Sequence, residues 1–191
     1  MKIRKNVTAL VLAAVALAAP ALAQYPPPVN IPIQNILQET SSWCWAAVAQ
    51  QIILAAAGSQ QTPRQCALVA IANNAPPAVC CSGFNPACVR TGSLEQIQFL
   101  IGQFGRHAST IAPPTDPLTL YNTLASNRPI ILHIVSGPGT SHVVVLRGMA
   151  FIPTPQGVMP VLYINDPMSV FTQPLPYPQL LQLWISAIVI N

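Results

Sequence analysis

The sequence predicts an α+β fold in which a helical half precedes a half rich in β-strands. Helix-capping signals lie in the first two thirds of the chain, at Ser93 and at Asp116-Pro117. Four runs rich in Val and Ile follow, separated by Pro and Gly, at residues 129–136, 141–150, 158–165 and 185–190. Helices first and strands later are typical of an α+β layout, and 191 residues suffice for one such domain.

The N-terminus has the pattern of a secretory signal peptide. Residues 1–23 begin with three basic residues, continue with an apolar run and end Ala21-Leu22-Ala23, a small-x-small cleavage pattern. The apolar run is too short to span a bilayer. We therefore expect residues 1–23 to be removed, residues 24–191 to form the mature domain, and the protein to be secreted or periplasmic.

The charge of the mature chain excludes several classes of partner. The full chain is 52% apolar and only 6% charged, with a net charge of +4. Removing the three basic residues of the signal peptide leaves +1, and the remaining arginines are scattered. This predicts no nucleic-acid surface and no stable membrane association. We expect a monomer.

The elements of the first half follow from local signals. A Pro-rich arm leads to a short strand at residues 29–33. A buried central helix is predicted over about 43–57, with Ser41 and Ser42 as candidate N-caps and Gly58 as its stop. Pro63 suggests a helix over 63–72. A Cys-rich loop then spans 73–91, and two further helices are predicted over 94–104 and 117–126.

Cys44 lies at the start of the predicted central helix. The N–H groups and the positive end of the helix dipole at such a position favour a thiolate over a thiol. The same N–H groups can receive a developing oxyanion, and the side-chain amide of Gln38, six residues earlier, is a candidate second donor. Trp43 and Trp45 are expected to pack rather than react, with Trp45 sealing the helix against the sheet.

The segment from Gln38 to Ala47 resembles the active-site segment of papain-like cysteine peptidases: glutamine, five residues, cysteine, then Trp-Ala. The form Trp-Cys-Trp-Ala-Ala is most similar to the small bacterial branch of that clan. This branch includes a secreted plant-pathogen effector protease and, more distantly, bacteriocin-leader peptidases. The resemblance implies a papain-like fold, with an N-terminal helical lobe packed on a C-terminal antiparallel sheet.

A cysteine nucleophile needs a base, and that base needs an orienting group. His142 enters a strand-like run after Gly137-Pro138-Gly139 and resembles the histidine strand of papain-like enzymes. Asp166 follows the next strand and resembles the third catalytic position of the bacterial branch, with Asn165 as the reserve choice. A 24-residue spacing from His142 to Asp166 corresponds to one hairpin, so both groups can meet at one end of a sheet.

The other candidates have ordinary structural interpretations. His133 is expected to be a core or edge histidine, His107 a solvent or C-cap residue, and Asp116 a helix cap. Cys44 itself can be read as an inert buried thiol.

The remaining cysteines, Cys66, Cys80, Cys81 and Cys88, are expected to form two disulfides, which would leave Cys44 unpaired. Sequence does not choose among the three pairings, although a bridge between adjacent cysteines is disfavoured. A zinc site is the weaker alternative, because no histidine interleaves and the spacings do not fit.

The sequence thus predicts an exported cysteine peptidase that uses Cys44, His142, Asp166 and Gln38, with no metal or organic cofactor and a protein or peptide substrate. The same residues also fit an amidase, a deamidase or an acyl transferase. A third reading is an inert exported binding protein on this scaffold.

Overall fold

A computed structural model describes residues 25–191 of the chain. The predicted signal peptide, residues 1–23, lies outside the described residues, as does residue 24 at the predicted start of the mature domain. Within 25–191 the helices come mainly first and the long strands last, so the predicted α+β layout is confirmed.

Four of the helices end by residue 100 and two lie later: α1 Cys44–Ala57, α2 Gln65–Ala72, α3 Ala78–Cys81, α4 Leu94–Leu100, α5 Pro117–Ala125 and α6 Tyr177–Leu181. A π-helical turn, Ile101–Gly105, continues α4, so the predicted helix over 94–104 is confirmed with a change of pitch. Within residues 25–191, no helix combines the length and the apolar character that crossing a membrane requires.

The strands form one antiparallel sheet of seven strands: β1 Val29–Asn30, β2 Ser109–Ala112, β3 Ile130–Gly137, β4 Thr140–Thr154, β5 Gly157–Asn165, β6 Leu175–Pro176 and β7 Trp184–Ile190. Their order is β2-β7-β3-β4-β5-β6, with β1 paired to β4. All four strand-rich runs predicted in the second half are therefore strands. Two short edge strands, β2 and β6, were not predicted, because runs of two to four residues carry little periodicity.

Helix starts follow the capping chemistry at two of the predicted sites. Ser93 forms a complete capping box with Gln96, and the Asp116 carboxylate accepts hydrogen bonds from the N–H groups of Leu118 and Thr119. The predicted caps at Ser41 and Ser42 are wrong, because Trp43 occupies the N-cap of α1 without a side-chain cap.

Tertiary contacts of Trp43 explain this difference. Its indole is buried and donates to the carbonyl of Cys88 at 2.8 Å, which fixes where the helix begins.

The second helix also starts later than predicted, at Gln65 rather than at Pro63.

Helix α1 lies at the centre of the core, as its apolar sequence predicted. Residues 45–49 are at most 2% exposed, and the helix packs against α4, its π-helical turn and strand β4. Alanines on this helix allow close approach of these neighbours. Gly58 ends the helix with a positive φ of 78°, as expected of a glycine stop.

Two disulfides order the segment that the sequence suggested was a loop. Cys66 is bonded to Cys81, and Cys80 to Cys88, while Cys44 is the free cysteine of residues 25–191. The four paired sulfurs are not available as zinc ligands. The bridges join α2, α3 and the short 3₁₀ turn Pro86–Cys88 into one unit beside the start of α1.

Removing either disulfide should lower the free energy of unfolding, measured by guanidinium titration. The loops that they close span 15 and 8 residues, so we expect losses of about 3 kcal/mol for Cys66→Ala/Cys81→Ala and slightly less for Cys80→Ala/Cys88→Ala. The control Cys44→Ala should cost under about 1 kcal/mol. Unchanged stability in both double variants would contradict the pairing.

Candidate active site

Cys44 is the first residue of α1 and remains partly exposed. Because the first N–H groups of a helix have no acceptor within the helix, the thiol lies beside unpaired backbone donors. Its neighbours Trp43 and Trp45 are 5% and 2% exposed, so the cysteine is held between two fixed side chains. The predicted position of Cys44 at the start of the central helix is confirmed.

His142 and Asp166 meet at one end of the sheet. His142 lies near the start of β4 and Asp166 directly follows the end of β5, and these strands are antiparallel neighbours. The Nε2 atom of His142 lies 2.6 Å from Oδ1 of Asp166, and both side chains are almost fully buried. The predicted hairpin therefore brings the two groups together.

The Asp166 carboxylate is held by the loop that follows it. Oδ1 also accepts from the Met168 N–H at 2.8 Å, and Oδ2 accepts from the N–H groups of Val170 and Phe171 at 2.7 and 3.0 Å. Ser169 takes a positive φ of 57° within this turn. Four donors thus satisfy a buried carboxylate, as a charge at such a position requires.

These contacts set the protonation of the pair. Burial alone would lower the pKa of His142, but its interactions with Asp166 and Cys44 outweigh burial and raise the pKa to about 9. Burial works to raise the pKa of Asp166, yet the hydrogen bonds from His142 and the backbone lower it to about 2. At neutral pH the site therefore favours an imidazolium beside a carboxylate.

Gln38 lies in the loop before α1, and the nitrogen of its side-chain amide forms a hydrogen bond. Its Nε2 donates to the carbonyl of Thr40 at 2.7 Å, and its buried Oε1 has no hydrogen-bond partner within residues 25–191. An amide nitrogen carries two N–H donors, so the bond to Thr40 fixes the group and leaves a second donor.

The reserve candidate and the alternative histidines have other partners. Asn165 donates to the carbonyl of Ile33 and accepts from Arg147, so its side chain does not bond to His142. Asp116 is a helix cap, as predicted. His107 contacts the carbonyl of Asn191, and His133 contacts the Ser186 hydroxyl.

Cys44 and His142 line one cavity of about 260 Å³. Apolar side chains form part of its wall, including Leu94, Ile97 and Val143, and His133 also reaches it. Burial lowers the pKa of His133, which favours its neutral form there. A second cavity of about 390 Å³ also includes His142 in its lining, and its other walls come mainly from apolar residues of β3 and of the loop 168–171. His142 thus contributes to the lining of both cavities.

Residues 27–173 match the family model described as papain-like cysteine protease AvrRpt2. The chain belongs to this family. It is a cysteine-type peptidase with a peptide substrate, and the predicted papain-like fold is confirmed.

Two solved structures share this fold at low sequence identity. A C39-like peptidase from Bacillus anthracis is 13% identical, with a TM-score of 0.59 over 87% of this chain and 98% of that one. The ragweed pollen allergen Amb a 11, a cysteine protease in its proform, is 12% identical, with a TM-score of 0.55 over 88% of this chain and 66% of that one. No curated protein matches the sequence of this peptidase.

One wall of the peptidase's cavity was not predicted from the sequence. It comes from residues 91–94, which follow the second disulfide. The Trp45 indole donates to the carbonyl of Arg90 at 3.1 Å, and Gly92 lies against the face of its ring. Trp45 therefore fixes this cavity wall, a more specific role than the predicted seal against the sheet.

Replacing Gly92 by alanine should damage this wall. The added Cβ would lie 2.2 Å from the Trp45 ring, so the loop or the indole must move. We expect peptidase activity to fall and the free energy of unfolding to drop by about 1–3 kcal/mol, as for other overpacked sites. Activity assays and thermal unfolding would measure the two effects.

The matched control is Gly102→Ala, where the nearest atom to the new Cβ is 3.8 Å away. If both variants behave alike, the contact between Gly92 and Trp45 does not shape the site.

Proposed function

We propose that the protein is an exported peptidase that hydrolyses peptide bonds through a Cys44–His142–Asp166 triad and an acyl-enzyme. The observation that carries this proposal is the buried His142–Asp166 hydrogen bond, with His142 lining the same cavity as the free thiol. All of the groups come from one chain, so a monomer suffices.

In the first half-reaction the Cys44 sulfur attacks the carbonyl carbon of the scissile bond. The thiol proton resides on His142, whose imidazolium is stabilised by Asp166. Collapse of the tetrahedral intermediate breaks the C–N bond, and His142 gives its proton to the leaving amine. In the second half-reaction His142 removes a proton from water and the hydroxide attacks the thioester carbon. The C–S bond then breaks, which releases the acid product and restores the Cys44 thiolate beside the protonated His142.

The developing negative charge falls on the carbonyl oxygen, and two groups are candidate donors to it. One is the Cys44 N–H in the first turn of α1, and the other is the second N–H of the Gln38 amide. Because Thr40 fixes the Gln38 amide before the reaction, little reorganisation is needed when the charge forms.

The two cavities favour a polypeptide substrate. Since His142 protonates the leaving amine, the part of the substrate that follows the scissile bond lies next to His142. We place it in the apolar cavity formed by β3 and residues 168–171. Two cavities that share His142 offer room for an extended chain. Export is supported by the N-terminal sequence pattern and by the two disulfides, which persist in oxidising compartments.

Alkylation of the non-reduced protein tests the nucleophile. Iodoacetamide should label Cys44 alone, mapped by mass spectrometry, and His142→Ala should slow the labelling at pH 6 by about tenfold or more. The reason is that an opposite charge within a few ångströms stabilises a thiolate by about 1–4 kcal/mol.

The control is His133→Ala, which changes a histidine of the same cavity and should leave the labelling rate near that of wild type. Slow labelling of the wild type, or a rate that depends on His133 instead of His142, would refute the proposed pair.

The pH dependence of kcat/KM tests the third residue. His142 has a raised pKa, so it keeps its proton until about pH 9, and kcat/KM should fall as the pH rises through that value. In Asp166→Asn the carboxylate that raises the His142 pKa is gone. The alkaline fall should therefore move to lower pH.

Asp116→Asn is the matched control, because it removes a carboxylate that caps α5 away from the site. If kcat/KM of Asp166→Asn falls at the same alkaline pH as that of the wild type, Asp166 does not set the protonation of His142.

A further inference from the structure

The loop segment 35–39, which carries Gln38, lies between the helices and the Asp166 loop. On one side the Asn35 amide donates to the carbonyl of Asp166 at 3.1 Å, and the Gln38 N–H donates to the carbonyl of Pro167 at 3.1 Å. On the other side the segment is bonded to glutamines of α1 and α2. The segment therefore connects α1, which carries Cys44, to the loop that begins at Asp166.

Gln65, the first residue of α2, holds the backbone on both sides of Gln38. Its Nε2 donates to the carbonyl of Leu37 at 2.8 Å, and its Oε1 accepts from the N–H of Glu39 at 2.9 Å. A second Nε2 bond goes to Oε1 of Gln50 on α1, at 3.2 Å. One amide side chain thus fixes the two peptide groups that flank the residue proposed as oxyanion donor.

Gln65 is itself held rigidly. It is only 1% exposed, so water does not compete for these hydrogen bonds. The next residue, Cys66, is bonded to Cys81, which anchors the first turn of α2 covalently. A side chain with this burial and anchoring can transmit a fixed position to the loop that it contacts.

We propose that Gln65 is a positioning residue for the oxyanion site and acts on the reaction through Gln38. This rests on the proposed function, in which the Gln38 amide donates to the oxyanion. Because the peptide groups before and after Gln38 are held, the backbone position of Gln38 is fixed. Its side chain therefore loses little conformational freedom when its amide donates to the oxyanion. Gln65 itself touches neither the substrate nor Cys44.

A double-mutant cycle tests this pathway. Gln38→Ala should lower kcat by roughly 10²–10³-fold, as for loss of an oxyanion donor. Gln65→Met keeps the volume but removes both polar ends, and we expect kcat about tenfold lower with KM nearly unchanged. If Gln65 acts through Gln38, the double variant should be no slower than Gln38→Ala within about twofold.

The matched control is Gln98→Met on α4. The Gln98 Nε2 also donates to a backbone carbonyl, that of Ser109 at 2.9 Å, outside the site. This variant should keep the wild-type kcat, although it loses a comparable hydrogen bond.

Gln65→Glu separates positioning from packing and serves if Gln65→Met fails to fold. A protonated carboxylic acid can donate to the Leu37 carbonyl and accept from the Glu39 N–H, whereas a carboxylate can only accept. The ratio of its kcat to the wild-type kcat should therefore rise as the pH falls. In Gln65→Met this ratio should stay constant with pH.

Independent, multiplying losses in the double variant, or a Gln65→Glu ratio that does not change with pH, would overturn the proposal. Full activity of Gln38→Ala would instead refute the oxyanion role of Gln38 within the proposed function. The rate of Cys44 alkylation is the control for the nucleophile. Alkylation forms no oxyanion, so its rate should be the same in all of these variants. A changed rate would therefore indicate a damaged nucleophile and not a fault at Gln65 or Gln38.

Discussion

The buried hydrogen bond between His142 and Asp166 is the interaction on which the site depends. It requires the start of β4 and the end of β5 to lie side by side, which antiparallel pairing of these strands provides. It also requires a charged carboxylate to be stable in the interior. The backbone donors of residues 168, 170 and 171 meet that need, and the carboxylate in turn keeps the imidazole protonated.

The proposed triad adds a second constraint, which is that α1 must hold Cys44 in the cavity that His142 also lines. The start of α1 is held by Trp43 and Trp45, which donate to the backbone carbonyls of Cys88 and Arg90 at the end of the disulfide-linked segment and just after it. Neutral amides then connect the helices to the sheet, since Gln51 and Gln65 bond to the segment 35–39 and Asn35 bonds to Asp166. Amides suit a chain with only 6% charged residues, because each carries both donor and acceptor without the desolvation cost of an ion.

The sequence predicted different amounts of the fold and of the candidate site. Strong local signals predicted the caps at Ser93 and Asp116, the glycine stop of α1 and all four long strands. The errors fell where tertiary contacts outweigh local chemistry. Trp43 replaces the serines at the N-cap because its indole is tied to Cys88, and the segment 73–91 gains helical turns because disulfides fold it.

The sequence by itself determined the fold class, the family segment around Cys44 and the residues to compare as nucleophile, base and orienting group. Motif spacing and periodicity carry that information because they are local properties of the chain. The tertiary structure decided which cysteines pair, that Asp166 rather than Asn165 bonds to His142, that Gln65 holds the loop of Gln38, and that Gly92 lines the cavity of Cys44. These contacts join residues far apart in sequence, and only the folded geometry fixes which distant donor meets which acceptor.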